Sequence, residues 1–191
     1  MTRQSIEKAI NKLEYMININ LDNAFVYQIE LSRNIPFNKH NSEYTRLFEK
    51  IPYTKIENNK HYKNGNFESS NNRKSFSIYD KKLKLIKCNE YDSFLDNINN
   101  LVKIEVRLKE KVTNQLRVFY KKQMENNIYY SCNHIFKDKL RVKDLYDRNV
   151  YNFLCDYWFN TIKNVNTCKR YNKRLYDEFI KICYNSVKDC I

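Results

Sequence analysis

The first 110 residues alternate between segments with helical and strand periodicity. Residues 2–17 place apolar side chains on one side of a helix, which predicts an amphipathic helix that packs against the rest of the protein. Residues 24–33 switch to a two-residue period, which predicts a strand with one polar face that ends at Pro36. Ser42 is the expected cap of a short helix that Pro52 stops.

Two further segments supply the remaining strands of a predicted sheet. Residues 60–80 have the pattern of a hairpin, with turn residues at Asn64-Gly65 and a strand at 75–80. A helix is expected at residues 92–100, and residues 101–108 then alternate between apolar and charged side chains. These elements predict an α+β fold, in which an antiparallel sheet of three to five strands carries helices packed on one face.

Beyond residue 112 the strand periodicity is lost and the pattern becomes helical. Asp144 is a candidate cap, and apolar residues then repeat at helical spacing over 150–162 and 175–184. We therefore expect two parts, an α+β core over residues 1–110 and a mostly helical C-terminal extension over residues 111–191 that packs on the core.

Composition excludes several classes of protein. The chain has 191 residues with 42% hydrophobic content, which is enough for a core, but it has no apolar run of the roughly 20 residues that cross a bilayer. Its single Gly argues against the glycine-rich loops that bind phosphate in Rossmann and P-loop proteins.

The charge balance points to a polyanionic partner. The chain has 35 Lys and Arg against 22 Asp and Glu, a formal net charge of +13, and also 16 Tyr and 11 Phe. Basic side chains follow a phosphate backbone while aromatic rings stack on unpaired bases, so this mixture favours single-stranded nucleic acid over an acidic lipid surface. The coding bias of an AT-rich genome is an alternative source of the many Lys, Asn and Tyr residues.

The six cysteines form no CxxC pair and have no zinc-ligand spacing with the three histidines. The N-terminus is the predicted amphipathic helix and does not have the pattern of a secretory leader. We therefore expect free thiols and a reducing, intracellular compartment.

The polar sides of the predicted strands bring candidate metal ligands together. If the strands are neighbours, Glu30 and Glu105 lie on one sheet face with Tyr79 and Arg107. Paired carboxylates suit Mg²⁺ or Mn²⁺, and a metal at this place can polarise a phosphodiester. The same pattern is also that of the solvated face of an antiparallel sheet.

Tyr79 is the candidate nucleophile. A phenol has a pKa of about 10 and attacks phosphorus only when its deprotonated form is stabilised, here by a metal-bound phosphate and by cations such as Lys81 or Lys82. Arg107 is the fourth candidate catalytic residue. The competing interpretation is a strand tyrosine that packs with a hydrated hydroxyl. The rival nucleophiles are Tyr146, Tyr151, Tyr171 and Tyr176, whose helical setting favours structural roles. The expected contacts to nucleic acid are Gln28, Arg33, Arg73, Lys74, Lys103 and Lys109.

The order of these motifs resembles that of a known family. The segments are residues 2–13, the strand VYQIEL at 26–31, Tyr79-Asp80-Lys81 and the strand VKIEVR at 102–107. The chain resembles rolling-circle replication initiators of phages and plasmids, above all the gene II/X-type proteins of Bacteroidetes phages and plasmids, over residues 2 to about 160. Those families show R-x-D, Y-D-K and R-x-E strands, so Gln28, Glu30 and Lys103 are departures, and the His-hydrophobe-His metal motif is absent. The resemblance further suggests that an N-terminal strand has been truncated.

The resemblance implies origin-specific nicking of one DNA strand by a metal-dependent tyrosine endonuclease in the cytoplasm of a bacterial host cell, and leaves open a host helicase as a second partner. The alternative is a protein that binds single-stranded nucleic acid with the same sheet and does not cut it. A third hypothesis is a phage-encoded interaction protein whose basic charge reflects genome composition alone.

Overall fold

The computed structural model describes residues 3–48, 58–62, 66–90, 92–126, 128, 130, 132, 138–163 and 172–188. Within these ranges the strands are β1 (Ile29–Phe37), β2 (Asn58–His61), β3 (Phe67–Ser70), β4 (Lys74–Asp80) and β5 (Asn100–Leu108). The α-helices are α1 (Arg3–Ile17), α2 (Asn41–Phe48), α3 (Lys81–Lys87), α4 (Val112–Glu125), α5 (Arg148–Lys163) and α6 (Lys173–Asn185). Short 3-10 helices cover Ser93–Asn97 and Val142–Tyr146.

The five strands form one antiparallel sheet in the order β1-β5-β4-β3-β2. The predicted α+β class is therefore confirmed. The strand predicted at 101–108 is β5, which lies between β1 and β4. The predicted stop at Pro52, the Asn64-Gly65 turn and the rival Tyr171 lie outside the described residues.

The apolar face of the sheet carries helices α2, α4, α5 and α6. The indole Nε1 of Trp158 on α5 donates to the Ile104 carbonyl at 3.4 Å, and the Phe37 ring stacks on Phe179 of α6 at 5.6 Å. One core cluster contains buried side chains from both residues 1–110 and residues 111–191. The sheet side of the core consists of Ile35, Phe37, Phe67, Phe76, Ile78, Val102, Ile104, Val106 and Leu108.

The strand predicted at 24–33 is displaced along the chain. Strand β1 begins at Ile29 and continues through Pro36, which was expected to end it. Proline has no amide hydrogen to donate, but β1 is an edge strand, where one missing donor is tolerated. The preceding segment bonds elsewhere, since the Val26 amide donates to the Leu140 carbonyl at 2.9 Å.

Helix α1 confirms the first predicted helix, but its apolar stripe is only partly covered. Ile6 and Ile10 are half-buried, whereas Leu13 is 46% exposed and Met16 is 70% exposed. The second half of the stripe therefore does not pack as expected. No helix in the described part of the chain is both long enough and apolar enough to cross a membrane.

Helix α3 was not predicted from the sequence. It follows β4 directly, and the Asp80 carboxylate caps it by accepting from the Leu83 amide at 2.8 Å. The acidic residue of the Tyr79-Asp80-Lys81 motif therefore has a local structural role. The helix expected at 92–100 is the short 3-10 helix Ser93–Asn97.

Candidate nucleic-acid interface

The second face of the sheet is polar, and the strand register places the predicted residues there. Directly opposed residues of antiparallel strands share a face. Glu30 lies opposite Arg107, and Lys103 lies opposite Tyr79. Because side chains alternate along a strand, Glu105 joins them on this side. We call this surface the polar face, and on β1, β3, β4 and β5 it comprises Glu30, Ser32, Asn34, Glu68, Ser70, Ser75, Ser77, Tyr79, Lys103, Glu105 and Arg107.

Glu105 is held by three donors on the polar face. Its Oε1 accepts from the Tyr79 hydroxyl at 2.9 Å and lies 2.5 Å from the Lys103 ammonium. Its Oε2 accepts from the Ser77 hydroxyl at 3.0 Å. The side chain is only 13% exposed, so these bonds replace most of its contact with water.

Glu30 is held by two cations nearer the sheet edge. Its Oε2 accepts from Arg107 through both Nε, at 3.1 Å, and a terminal nitrogen, at 2.5 Å. Its Oε1 accepts from Lys103 at 3.3 Å. Lys103 thus bridges the two carboxylates that were predicted to bind a metal.

The bridging changes the proton affinities of these groups. Burial alone would raise the pKa of Glu105, but hydrogen bonds from Lys103 and Tyr79 outweigh it, and the pKa lies below its ordinary value. Burial alone would lower the pKa of Lys103, but its bond to Glu105 outweighs this, and the pKa lies above its ordinary value. Burial and the bond to Glu105 raise the pKa of Tyr79 to about 12. The cluster therefore favours a charged Glu105–Lys103 pair beside a neutral phenol.

This arrangement does not fit the predicted Mg²⁺ or Mn²⁺ site. A divalent cation shared by Glu30 and Glu105 would have to displace the Lys103 ammonium that already lies between them. Among the described residues there is also no group of three or more His, Cys, Asp or Glu side chains that could hold a metal. The metal site stays a prediction that the ion pairs of this face oppose.

A groove of about 500 Å³ lies between the polar face and helix α3. Its lining includes the tyrosines Tyr62 and Tyr79, the cations Lys84, Lys87 and Arg107, and the carboxylates Glu68, Asp80 and Glu105. Tyr62 is 48% exposed, and the Lys84 ammonium lies 5.0 Å from the centre of the Tyr79 ring. The groove therefore combines aromatic rings with both cations and carboxylates, and two of the carboxylates are already bonded, Asp80 to the Leu83 amide and Glu105 to Lys103.

Sequence reasoning did not single out Tyr62, Lys84 or Lys87 as site residues. A short helix could have been predicted from Asp80, a capping residue that precedes a run of helix-favouring residues. Such a helix would have placed Lys84 and Lys87, three residues apart, on the same side. Tyr62 was one tyrosine among 16 and stood beside a predicted turn, where no pattern marks a binding residue.

The two lysines predicted to activate Tyr79 lie in the first turn of α3. The ammonium of Lys82 donates to the Ile98 carbonyl at 2.9 Å, and Lys81 is half-buried. The cations that contact Tyr79 are instead Lys84, over its ring, and Lys103, through its charge. The activation of Tyr79 by Lys81 or Lys82 stays a prediction.

Arg33 and Lys74, which were expected to contact nucleic acid, are not on the polar face. Arg33 lies opposite Ile104 and Lys74 opposite Leu108, so both share the face that carries the helices. Arg33 donates to the Tyr151 hydroxyl at 3.3 Å and to the Cys155 sulfur at 3.1 Å.

The other predicted contacts lie at the ends of strands. Gln28 is exposed immediately before β1, and Arg73 is exposed in the turn between β3 and β4. Lys109 follows β5, is half-buried, and donates from its amide to the Arg73 carbonyl at 2.8 Å. Lys103 is on the polar face within the ion pairs described above.

The three rival tyrosines that the structure describes, Tyr146, Tyr151 and Tyr176, lie in the helical C-terminal part of the chain. Tyr176 is 7% exposed and its hydroxyl donates to the Lys163 carbonyl at 2.7 Å, while Tyr151 accepts from Arg33. Among the described residues, the Tyr146 hydroxyl oxygen is buried without a hydrogen-bond partner.

Comparison of the chain with protein-family models, with curated proteins and with solved structures gives no match.

Proposed function

We propose that the protein binds single-stranded nucleic acid in the groove between the polar face and α3. The observation that carries this proposal is the joint presence of Tyr62, Tyr79, Lys84, Lys87 and Arg107 along one groove. Single strands expose both unpaired bases and phosphates, and their non-specific binding sites combine aromatic platforms with a basic groove. The formal net charge of +13 adds long-range attraction for a polyanion.

The bases would stack first on Tyr62. Its ring is the more accessible of the two, since it is 48% exposed while the Lys84 ammonium covers one side of the Tyr79 ring. Stacking of one base on an aromatic side chain contributes about 1–3 kcal/mol. Duplex DNA keeps its bases paired, so we propose weaker binding to a duplex than to a single strand of the same sequence.

The phosphates would lie along the cations of the groove. Lys84 and Lys87 are three residues apart on α3, a spacing that places them on one side of the helix. Arg107 provides a planar guanidinium from the sheet side, which suits a phosphate better than a lysine does. A strand would then run between α3 and the polar face.

The first prediction concerns salt dependence. Replacing Lys84 and Lys87 together by Gln is expected to weaken binding of a fluorescent single-stranded oligonucleotide by about tenfold at moderate salt, because two phosphate contacts are lost. In anisotropy titrations, the slope of log affinity against log salt should become shallower by about 1.4, at about 0.7 for each phosphate.

The matched control is the double replacement of Lys173 and Lys181 by Gln, which removes the same charge from exposed positions of α6. That helix packs on the opposite side, through Phe179 and Phe37. Equal losses in the two double variants would show that only overall charge matters, and the groove assignment would then be wrong.

Nicking by Tyr79, as in the rolling-circle initiators, is the second candidate function. The observation that favours it is the bond of 2.9 Å between the Tyr79 hydroxyl and Glu105, a carboxylate placed to accept its proton. Two observations oppose it: the pKa of Tyr79 is raised to about 12, and that of Glu105 is lowered. A neutral phenol beside a weak base is a poor nucleophile, so binding without cleavage is the better-supported proposal.

A denaturing gel separates the two candidates. After incubation with Mn²⁺ and single-stranded oligonucleotides of varied sequence, we expect binding in the native assay and no covalent adduct on the gel. An adduct that forms with the natural chain and is lost with Tyr79→Phe would establish nicking instead, since that change removes one oxygen and little packing. An adduct that Tyr79→Phe retains would assign the nucleophile to another tyrosine.

A further inference from the structure

The Glu30 carboxylate lies where a phosphate of the bound strand would be held. Both Nε and a terminal nitrogen of Arg107 donate to its Oε2, and Lys103 donates to its Oε1. A guanidinium fork with a neighbouring ammonium is a common arrangement for a phosphodiester, which has the same single negative charge as a carboxylate. Glu30 therefore resembles the anion that this pair of cations would bind.

This ion pair lies at the margin of the groove and is accessible to solvent. Arg107 lies between Glu30 on β1 and Ser75 on β4, and both Arg107 and Ser75 line the groove. The side chains of Arg107 and Glu30 are 39% and 32% exposed. A strand in the groove would therefore lie beside Arg107, within reach of the position that the Glu30 carboxylate occupies.

We propose that Arg107 and Lys103 form a phosphate subsite that Glu30 occupies in the free protein, and that a phosphate of the bound strand displaces the Glu30 carboxylate. This inference rests on the proposed function. Glu30 is thus an internal competitor, and its displacement is a step of binding.

The exchange replaces one anion by another on the same cations. Arg107 is not left without a partner, and Glu30, on edge strand β1, can return to water. Exposed ion pairs contribute little net stability, so the displaced pair opposes binding only weakly. Lys103 keeps its contact of 2.5 Å with Glu105, so the buried part of the network remains intact. A neutral aromatic ligand could stack on Tyr62 but could not replace Glu30 on Arg107 and Lys103. The subsite therefore selects polyanions over neutral ligands.

Glu30→Gln tests the inference because it keeps the shape of the side chain and removes the charge. In anisotropy titrations with the same single-stranded oligonucleotide, we expect affinity to increase by about threefold to fivefold, the upper part of the range for an exposed ion pair. Glu125→Gln is the charge-matched control, because Glu125 is exposed at the end of α4 and does not line the groove. It should change affinity by less than about 1.5-fold, since distant charges are screened.

A double-mutant cycle separates competition from a general charge effect. We expect Arg107→Gln to weaken binding more in the Glu30→Gln background than in the natural chain. In the natural chain, Arg107 must give up its ion pair with Glu30 before it holds a phosphate, so the loss of Arg107 costs less affinity there. Equal losses in both backgrounds, or a Glu30→Gln affinity no higher than that of Glu125→Gln, would overturn the inference while leaving the proposed function intact. If the natural chain shows no salt-dependent binding at all, the proposed function itself is wrong.

Discussion

Trp158→Ala is expected to lower the free energy of unfolding by about 3–5 kcal/mol, the range for deleting a large buried aromatic side chain. Trp158 is 2% exposed, lies on α5, and donates its indole hydrogen to the Ile104 carbonyl of β5. A small domain has only about 5–15 kcal/mol of total stability, so this one change would remove a large share of it. Urea denaturation followed by circular dichroism measures the loss.

Tyr15→Ala is the matched control, because Tyr15 is an aromatic residue of α1 that is 89% exposed. Its effect should stay within about 0.5 kcal/mol, as for most surface substitutions. Because Trp158 joins the C-terminal part of the chain to the sheet, we expect a single cooperative transition that moves as a whole. A separate transition for the helices, or a loss below about 1 kcal/mol, would contradict the assignment of Trp158 to a common core.

The strands could be predicted because their faces differ so clearly in polarity. In β4 and β5, apolar side chains alternate with Ser, Tyr, Lys, Glu and Arg. This two-residue period predicts both the presence of a strand and the face of the sheet on which each side chain lies. The placement of Glu30, Tyr79, Glu105 and Arg107 on one face follows from the same period. The two-residue period does not give the strand order, so the position of β5 between β1 and β4 emerged only from the fold.

The positions of Arg33 and Lys74 were predictable from the same alternation. Lys74 has the parity of Phe76 and Ile78, and Arg33 that of Leu31, so both belong to the face that carries the helices. Their positive charge suggested nucleic acid, but a long basic side chain at the rim of a core can bury its stem and keep its polar end bonded.

The ion pairs of the polar face depend on which strands are neighbours. Two glutamates considered alone suggested a metal, but Lys103 and Arg107 lie on the same side of β5 and neutralise both of them. Helix α3 was missed because its seven residues are too few for a helical period to be recognised between two strands. The groove and its lysines depend on that helix, so they could not be derived beforehand.

Lys103→Met is the second change with a large expected effect, because it removes the cation between Glu30 and Glu105. The side chains of Lys103 and Glu105 are 19% and 13% exposed. In the variant, the charged Glu105 would therefore remain largely shielded from water, with only the neutral hydroxyls of Ser77 and Tyr79 as donors. Breaking a fully buried pair costs about 3–5 kcal/mol, and for this partly exposed pair we expect a loss of about 2 kcal/mol. Lys39→Met, which breaks a pair with Glu178 whose side chains are 42% and 29% exposed, should cost less than about 1 kcal/mol.

The effect of Lys103→Met should also depend on pH. The pKa of Glu105 is lower in the folded protein than its ordinary value of 4.5, so its contribution is complete well above that value and is lost as pH falls toward the folded pKa. Lys103 is the main cause that lowers this pKa against the effect of burial. Without Lys103, the pKa of Glu105 in the folded protein therefore moves closer to its value in the unfolded chain. Urea denaturation at about pH 7 and about pH 3.5 should therefore show a smaller acid-induced loss in Lys103→Met than in the natural chain. An unchanged acid-induced loss would mean that Glu105 is held by Tyr79 and Ser77 alone.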